Sequence, residues 1–67
     1  MDAILVLVTT SSEEEATRLG KLLVEQQFVA CVNILPKMKS IFWWEGKVSE
    51  EEECLMICLL YTSDAAD

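Results

Sequence analysis

Residues 41–48, IFWWEGKV, place a tight turn between two strand-forming runs. Gly46 can adopt the positive φ that a short reversal requires, and aromatic or β-branched side chains flank the turn on both sides. The pattern predicts a β-hairpin. Its first strand, β2, starts near Phe28 and is interrupted at Pro36, which cannot donate a ladder hydrogen bond and therefore predicts a bulge, a bend or a sheet edge there.

The returning strand, β3, starts at Lys47 and carries four consecutive glutamates, residues 50–53, before the apolar residues 54–57. Successive strand side chains point to opposite faces, so four adjacent carboxylates cannot all lie in a core. They predict an exposed, solvated stretch. The alternative, a site for a hard cation, lacks the spaced oxygen ligands of a calcium-binding loop.

The chain upstream of the hairpin reads as one strand and one helix. Residues 3–10, AILVLVTT, predict β1 and have the composition of a strand that is covered on both faces or central in its sheet. Ser11 and Ser12 each precede a glutamate by three residues, which is the spacing of a helix capping box. An amphipathic helix, α1, is predicted to follow to about Gln27, with Gly20 marking close approach to the strands.

The element order is therefore β-α-β-β. In a split unit of this kind β3 inserts between β1 and β2 and lies antiparallel to both. Without a second helix, half of one sheet face is expected to be uncovered and β1 is expected to form an open sheet edge.

Composition narrows the function classes. The 67 residues include 12 acidic and 5 basic side chains and no histidine, for a formal charge of −7. This negative charge disfavours nucleic-acid binding. No apolar run reaches membrane-spanning length, so we expect a cytoplasmic protein with no membrane partner. Because so short a chain buries little apolar surface, we expect self-association. The three cysteines indicate neither a disulfide framework nor a four-thiolate zinc site.

Two segments, FVACVNILP at residues 28–36 and SIFWWEGKV at residues 40–48, resemble the CutA family of divalent-ion tolerance proteins. The matching positions are Ala30, Cys31, Pro36, Ser40, Trp44, Gly46 and Lys47, with Glu50 and Glu53 at positions that are commonly acidic. The resemblance covers residues 3–57. It implies an α+β ferredoxin-like sandwich, truncated here to β1-α1-β2-β3 with an antiparallel sheet, so that residues 1–57 form a partial domain.

The last ten residues, CLLYTSDAAD at 58–67, depart from the family pattern. They resemble a translated sequencing adapter, and we predict that they are a non-native tail without a function of their own.

The resemblance also implies a function. It points to a non-catalytic homotrimer that acts in tolerance or homeostasis of divalent metal ions such as copper. Two alternatives stay open: a trimeric ligand-sensing signalling module, for which Lys37, Lys39 and Lys47 are the available cations of the hairpin region, and a structural interaction or anchoring protein. No phosphate loop, nucleophile elbow or paired catalytic carboxylates support an enzyme.

Cys31 is the candidate metal ligand, since thiolates suit soft or borderline ions and the resemblance places it at a family position. The commoner role of a strand cysteine is a small buried hydrophobe, and this alternative carries more weight. Thr10 stands where the family can have a second cysteine. Cys54 and Cys58 share one strand face about 13 Å apart, too far to chelate one ion.

Phe42, Trp43 and Trp44 are the candidate interface residues. Aromatic side chains at a strand end could form a ligand platform, but they more often pack in a core or between subunits. We predict that they bury against a neighbouring subunit.

Overall fold

The computed structural model describes residues 2–62. The chain forms β1 (Asp2–Thr10), α1 (Glu13–Glu25), β2 (Cys31–Trp44) and β3 (Lys47–Thr62). The strand order is β1-β3-β2, and β3 is antiparallel to both neighbours. The predicted β-α-β-β order and the insertion of β3 are confirmed.

The start of α1 is held by side-chain caps. Ser12 has extended backbone geometry, and its Oγ accepts a hydrogen bond from the Glu15 N–H at 3.1 Å. The Glu15 carboxylate in turn accepts bonds from the N–H and the hydroxyl of Ser11, each at 3.2 Å. The capping box is therefore present, but its return bond reaches Ser11 rather than the cap residue itself.

The end of α1 comes earlier than the predicted Gln27. Gln27 has a φ of 61°, outside the helical region, and the Phe28 N–H donates back to the Leu23 carbonyl at 3.0 Å. The Gln27 N–H donates to the Val24 carbonyl, so two terminal carbonyls are satisfied while the left-handed backbone turns the chain away from the helix axis, and α1 ends at Glu25.

The core lies between α1 and one face of the sheet. Its fully buried members are Ala16 from the helix and Cys54, Met56 and Cys58 from alternate positions of β3. A Cβ atom added to Gly20 would lie 3.3 Å from Val32 Cγ1 and 3.7 Å from Met56 Cε. The predicted close approach at this glycine is confirmed, and it places α1 over β2 and β3.

The hairpin has the expected turn. Trp44 pairs with Lys47, and Glu45 and Gly46 both have positive φ, 51° and 80°, as the right-handed twist of a two-residue hairpin requires. At Pro36 both predicted features occur together: β2 is an edge strand, and its register shifts between Leu35 and Met38.

The side chains of β1 are less covered than its composition suggested. β1 is an edge strand, and Leu5 and Leu7 are 63% and 64% exposed while Ile4 and Val6 on the other face are 45% and 41% exposed. The expectation of a strand covered on both faces or central in the sheet is wrong for this chain, because β1 lies at the sheet edge and only its last part, with Val8 and Thr10, is covered. The expectation of an open edge at β1 is confirmed.

The predicted tail begins inside β3. Cys58 is buried and lies opposite Val6 and Val32, and Leu59 lies opposite Leu5 and Cys31. The strand continues to Thr62, and residues 63–67 lie outside the described part of the chain. The origin of residues 58–67 stays a prediction, but residues 58–62 take part in the sheet.

Because residues 58–62 pair with β1, truncated chains can test whether the folded domain ends at Ile57. A chain ending at Ile57 should lose cooperative thermal unfolding, because it lacks the buried Cys58 and the partners of residues 2–6 of β1. A chain ending at Thr62 keeps these contacts and should retain the strand signal in far-UV circular dichroism. Native-like melting of the chain that ends at Ile57 would contradict this expectation.

Candidate functional site

Cys31, the candidate metal ligand, lies on the sheet face opposite α1, which is here called the open face. Strand register puts on it one row of side chains from each strand: Leu5, Leu7, Cys31, Asn33, Leu35, Leu55, Ile57 and Leu59. Within residues 2–62 no helix or strand packs against it, and Leu5, Leu7 and Leu35 are each exposed. These eight side chains are apolar apart from Asn33, and the hydroxyls of Thr9 and Tyr61 lie in the same rows.

Cys31 lies on the open face. It starts β2 opposite Leu59, and the preceding Ala30 N–H donates to the Leu59 carbonyl at 2.7 Å. Its side chain is exposed, whereas Cys54 and Cys58 are buried under α1. The interpretation of Cys31 as a buried strand hydrophobe is therefore wrong, because the face to which it points has no helix across it.

The three thiols do not converge. Cys58 is opposite Val32, so it belongs to the sheet face under α1, while Cys31 belongs to the open face. Among residues 2–62, no group of three or more histidine, cysteine or acidic side chains is placed to hold a metal ion. Since zinc and copper sites need several ligands, residues 2–62 of one chain do not form a complete metal site around Cys31.

The four glutamates of β3 are divided between the two faces. Glu50 and Glu52 lie on one side of the strand and Glu51 and Glu53 on the other, so their oxygens cannot surround one ion. Glu53 accepts a hydrogen bond from the Ser40 hydroxyl, and Glu50 is 3.7 Å from the Lys39 ammonium, with both side chains largely in solvent. Three of the four residues are exposed and Glu53 is partly buried, which agrees with the predicted solvated stretch.

The aromatic residues lie on the arm, defined as residues 38–53 of the hairpin beyond the register shift. Trp43 is paired with Val48 on one face and is 70% exposed. Trp44 is 58% exposed on the other face, where Phe42 is partly buried. The arm thus carries large uncovered apolar side chains on both faces, and their role as an interface stays a prediction.

The expectation from the sequence was that half of one sheet face is uncovered, whereas among residues 2–62 the whole face opposite α1 is open. The signal for it is the run of apolar residues at both odd and even positions of β1 and of the second half of β3, which makes both sheet faces apolar. A single helix can cover only one of them.

The family model of the CutA1 divalent ion tolerance protein matches residues 4–66. The chain belongs to this family. A relative from Thermus thermophilus, the divalent-cation tolerance protein CutA, is 48% identical over 52 residues, which is 78% of this chain and 50% of that protein. The chain therefore spans half the length of this relative, and the described residues contain no helix long and apolar enough to cross a membrane.

Solved CutA structures have the same fold. The divalent cation tolerance protein from Thermus thermophilus superposes with a TM-score of 0.79 at 43% identity, covering 91% of this chain and 59% of that chain. A PII-like protein CutA from a Nostoc species, in apo form, superposes with a TM-score of 0.65 at 37% identity, covering 81% of this chain and 50% of that chain. The β-α-β-β unit is therefore part of a ferredoxin-like domain.

The exposures of the three cysteines generate a direct test. In the folded chain at dilutions where it is monomeric, iodoacetamide should label Cys31 much faster than Cys54 or Cys58, because only Cys31 is exposed in the single chain. All three should react once the chain is unfolded in guanidinium chloride. Peptide mass spectrometry gives the site of labelling, and equal labelling of Cys31 and Cys58 under native conditions would refute the assigned register.

Proposed function

We propose that this chain acts in the tolerance of divalent metal ions such as copper, in the cytoplasm, by binding the ion rather than by catalysing a reaction. Membership of the divalent ion tolerance family supports the tolerance role. The observation that carries the binding role is the solvent-exposed Cys31 thiol on the open face. The chain has no histidine to serve as a general base, which favours a non-catalytic role.

The second part of the proposal is that the functional form is a homotrimer. The chain offers two surfaces that association would bury, namely the open face with Leu5 and Leu7 and the arm with Trp43 and Trp44. Contiguous exposed apolar surface on so small a domain favours contact with further copies. Copies that cover the open face would also enclose Cys31, and they are a source for further metal ligands, which residues 2–62 of one chain do not group together.

A second candidate is a ligand-sensing signalling module. The likeness to a solved CutA described as PII-like favours it. Of the arm-region cations, Lys39 is near Glu50, which leaves Lys37 and Lys47 as the residues to hold an anionic ligand. Nucleotide binding that is lost in the Lys37→Ala and Lys47→Ala variants, without any copper binding, would favour this role over metal tolerance. A purely structural anchoring role predicts neither nucleotide binding nor copper binding.

The metal proposal makes a prediction for Cys31→Ser. This variant should lose most of the thiol-dependent copper uptake of the assembled protein, because a hydroxyl is a poor ligand for soft ions. Copper bound per chain, measured by native mass spectrometry after titration under reducing conditions, gives the result.

The matched control is Cys54→Ala. It also removes one thiol, but from the buried core, and alanine avoids leaving an unpaired hydroxyl there. Copper binding should be unchanged in this variant as long as it folds. Equal loss in both variants, or no loss in either, would exclude Cys31 as the ligand.

The association proposal makes a prediction for Trp44→Ala. If the ring is buried between subunits, truncation should weaken association by about 2 kcal/mol or more, which is typical of an interface hot spot. Leu22→Ala is the control, since Leu22 is also an exposed apolar residue, at 50%, but lies on α1. Sedimentation velocity over a concentration series compares the two, and a parent chain that stays monomeric at micromolar concentration would defeat the trimer proposal.

A further inference from the structure

The arm is joined to the rest of the sheet through a β-bulge in β2. The register shift between Leu35 and Met38 places two residues, Pro36 and Lys37, opposite the single residue Cys54 of β3. One residue of β2 is therefore in excess, and the hairpin must accommodate it either at the bulge or in the turn at the other end of the arm. The location of that residue decides the register of every pair in between.

The observed register holds two non-glycine residues in the left-handed backbone region. Lys37 at the bulge has a φ of 63°, and Glu45 at the first position of the turn has a φ of 51°. A residue with a Cβ atom adopts this region at a cost, and lysine and glutamate are not among the residue types that tolerate it best. Both ends of the arm are therefore under local backbone strain.

We infer that the arm can pair in a second register, in which the excess residue moves from the bulge into the turn. Pairing would then continue through Pro36 and Lys37 without interruption, and Trp44, Glu45 and Gly46 would form a three-residue turn. The common hairpin turn of this length has two residues in right-handed conformation followed by one in left-handed conformation, where glycine is favoured. Gly46 stands at that last position, so the second register needs no non-glycine residue with a positive φ.

Pro36 does not block the second register. Positions along an antiparallel pair alternate between hydrogen-bonded and non-hydrogen-bonded, and Trp44 and Lys47 are hydrogen-bonded because they close a two-residue turn. Counted along β3 from Lys47, Cys54 is at a non-hydrogen-bonded position toward β2. A proline opposite Cys54 would direct its nitrogen away from β3, where the ladder needs no N–H.

Polar contacts stabilise both registers. In the observed register the Ser40 hydroxyl donates a hydrogen bond to the Glu53 carboxylate at 2.5 Å. The second register breaks this bond, but it places Lys37 opposite Glu53 and Lys39 opposite Glu51. Opposite charges at facing strand positions attract each other, so the second register gains two favourable pairs.

The second register would turn the aromatic side chains of the arm over. Hydrophobic patterning does not choose between the registers, because residues 41–44 are apolar at four consecutive positions. A one-residue slip moves every strand side chain to the other face. Phe42 would leave the open face for the side of α1, and Trp43 would move in the opposite direction. Association through one face of the arm, which rests on the proposed function, would select one register, but the second register itself does not depend on association.

Cysteine pairs can trap each register in the full chain with the Cys31→Ser background. Trp43→Cys with Val48→Cys links a pair that is opposed in the observed register. Phe42→Cys with Val48→Cys links a pair that is opposed only in the second register. Both should form intrachain disulfides with oxidised glutathione, the second pair more slowly. Trp44→Cys with Val48→Cys is the control, because these two positions are opposed in neither register.

Two further substitutions should change the rate of the Phe42–Val48 link in opposite directions. Glu45→Asn favours the left-handed turn position of the observed register and should slow the link. Ser40→Ala removes a hydrogen bond to a carboxylate that only the observed register makes, and it should speed the link by about tenfold. Ser49→Ala removes a hydroxyl from the same face of the arm and should leave the rate unchanged. Peptide mass spectrometry under non-reducing conditions measures each link.

The outcomes are decisive for the second register. A Phe42–Val48 link that forms faster than the control link and responds to both substitutions supports it. Equal rates for these two links would mean that random opening of the arm brings the cysteines together. That result, a rate that neither substitution changes, or the absence of the Phe42–Val48 link overturns the inference. Because intrachain links are measured at high dilution, failure of the proposed trimer or of copper binding would leave this result unaffected.

Discussion

Met56 is the point on which the packing of this chain depends. It lies in the middle strand, opposite Val8 of β1 and Ile34 of β2, and its side chain is fully buried near Gly20 of α1. Every element therefore meets around one residue of β3. Two cysteines at alternate positions, Cys54 and Cys58, extend the same row beneath the helix. The buried core is small, as expected for a chain of this length.

The position of α1 divides the sheet into unequal faces. One face has a helix over part of it, while the open face has none among the described residues. Both faces are nevertheless apolar, since β1 and the second half of β3 carry hydrophobic side chains at consecutive positions. An apolar sheet face in water is unfavourable at about 25 cal/mol for each Å² exposed, so association is the expected way to cover it. This argument links the fold to the proposed oligomer.

The division of the sheet into two faces also determines which cysteines could bind the same metal ion. Cys31 is separated from the other two thiols because residues opposite each other on paired strands share a face, and Cys31 is opposite Leu59 whereas Cys58 is opposite Val32. The Cys31 thiol therefore has neither of the other two thiols beside it on the open face. Residues 2–62 contain no complete set of metal ligands. This is compatible with membership of the divalent ion tolerance family if further ligands come from other groups.

Local chemistry in the sequence was sufficient to predict the elements. The Ser12 cap, the Glu45-Gly46 turn and the disruption at Pro36 depend on residues only a few positions apart, and the structure has all three. The burial of side chains could not be predicted from such local sequence patterns. The exposure of Cys31 and the uncovered face opposite α1 depend on which strands lie side by side and where α1 crosses them. Those contacts join residues far apart in the chain, so the apolar composition of β1 indicated a strand but only the tertiary structure decided which of its side chains are covered.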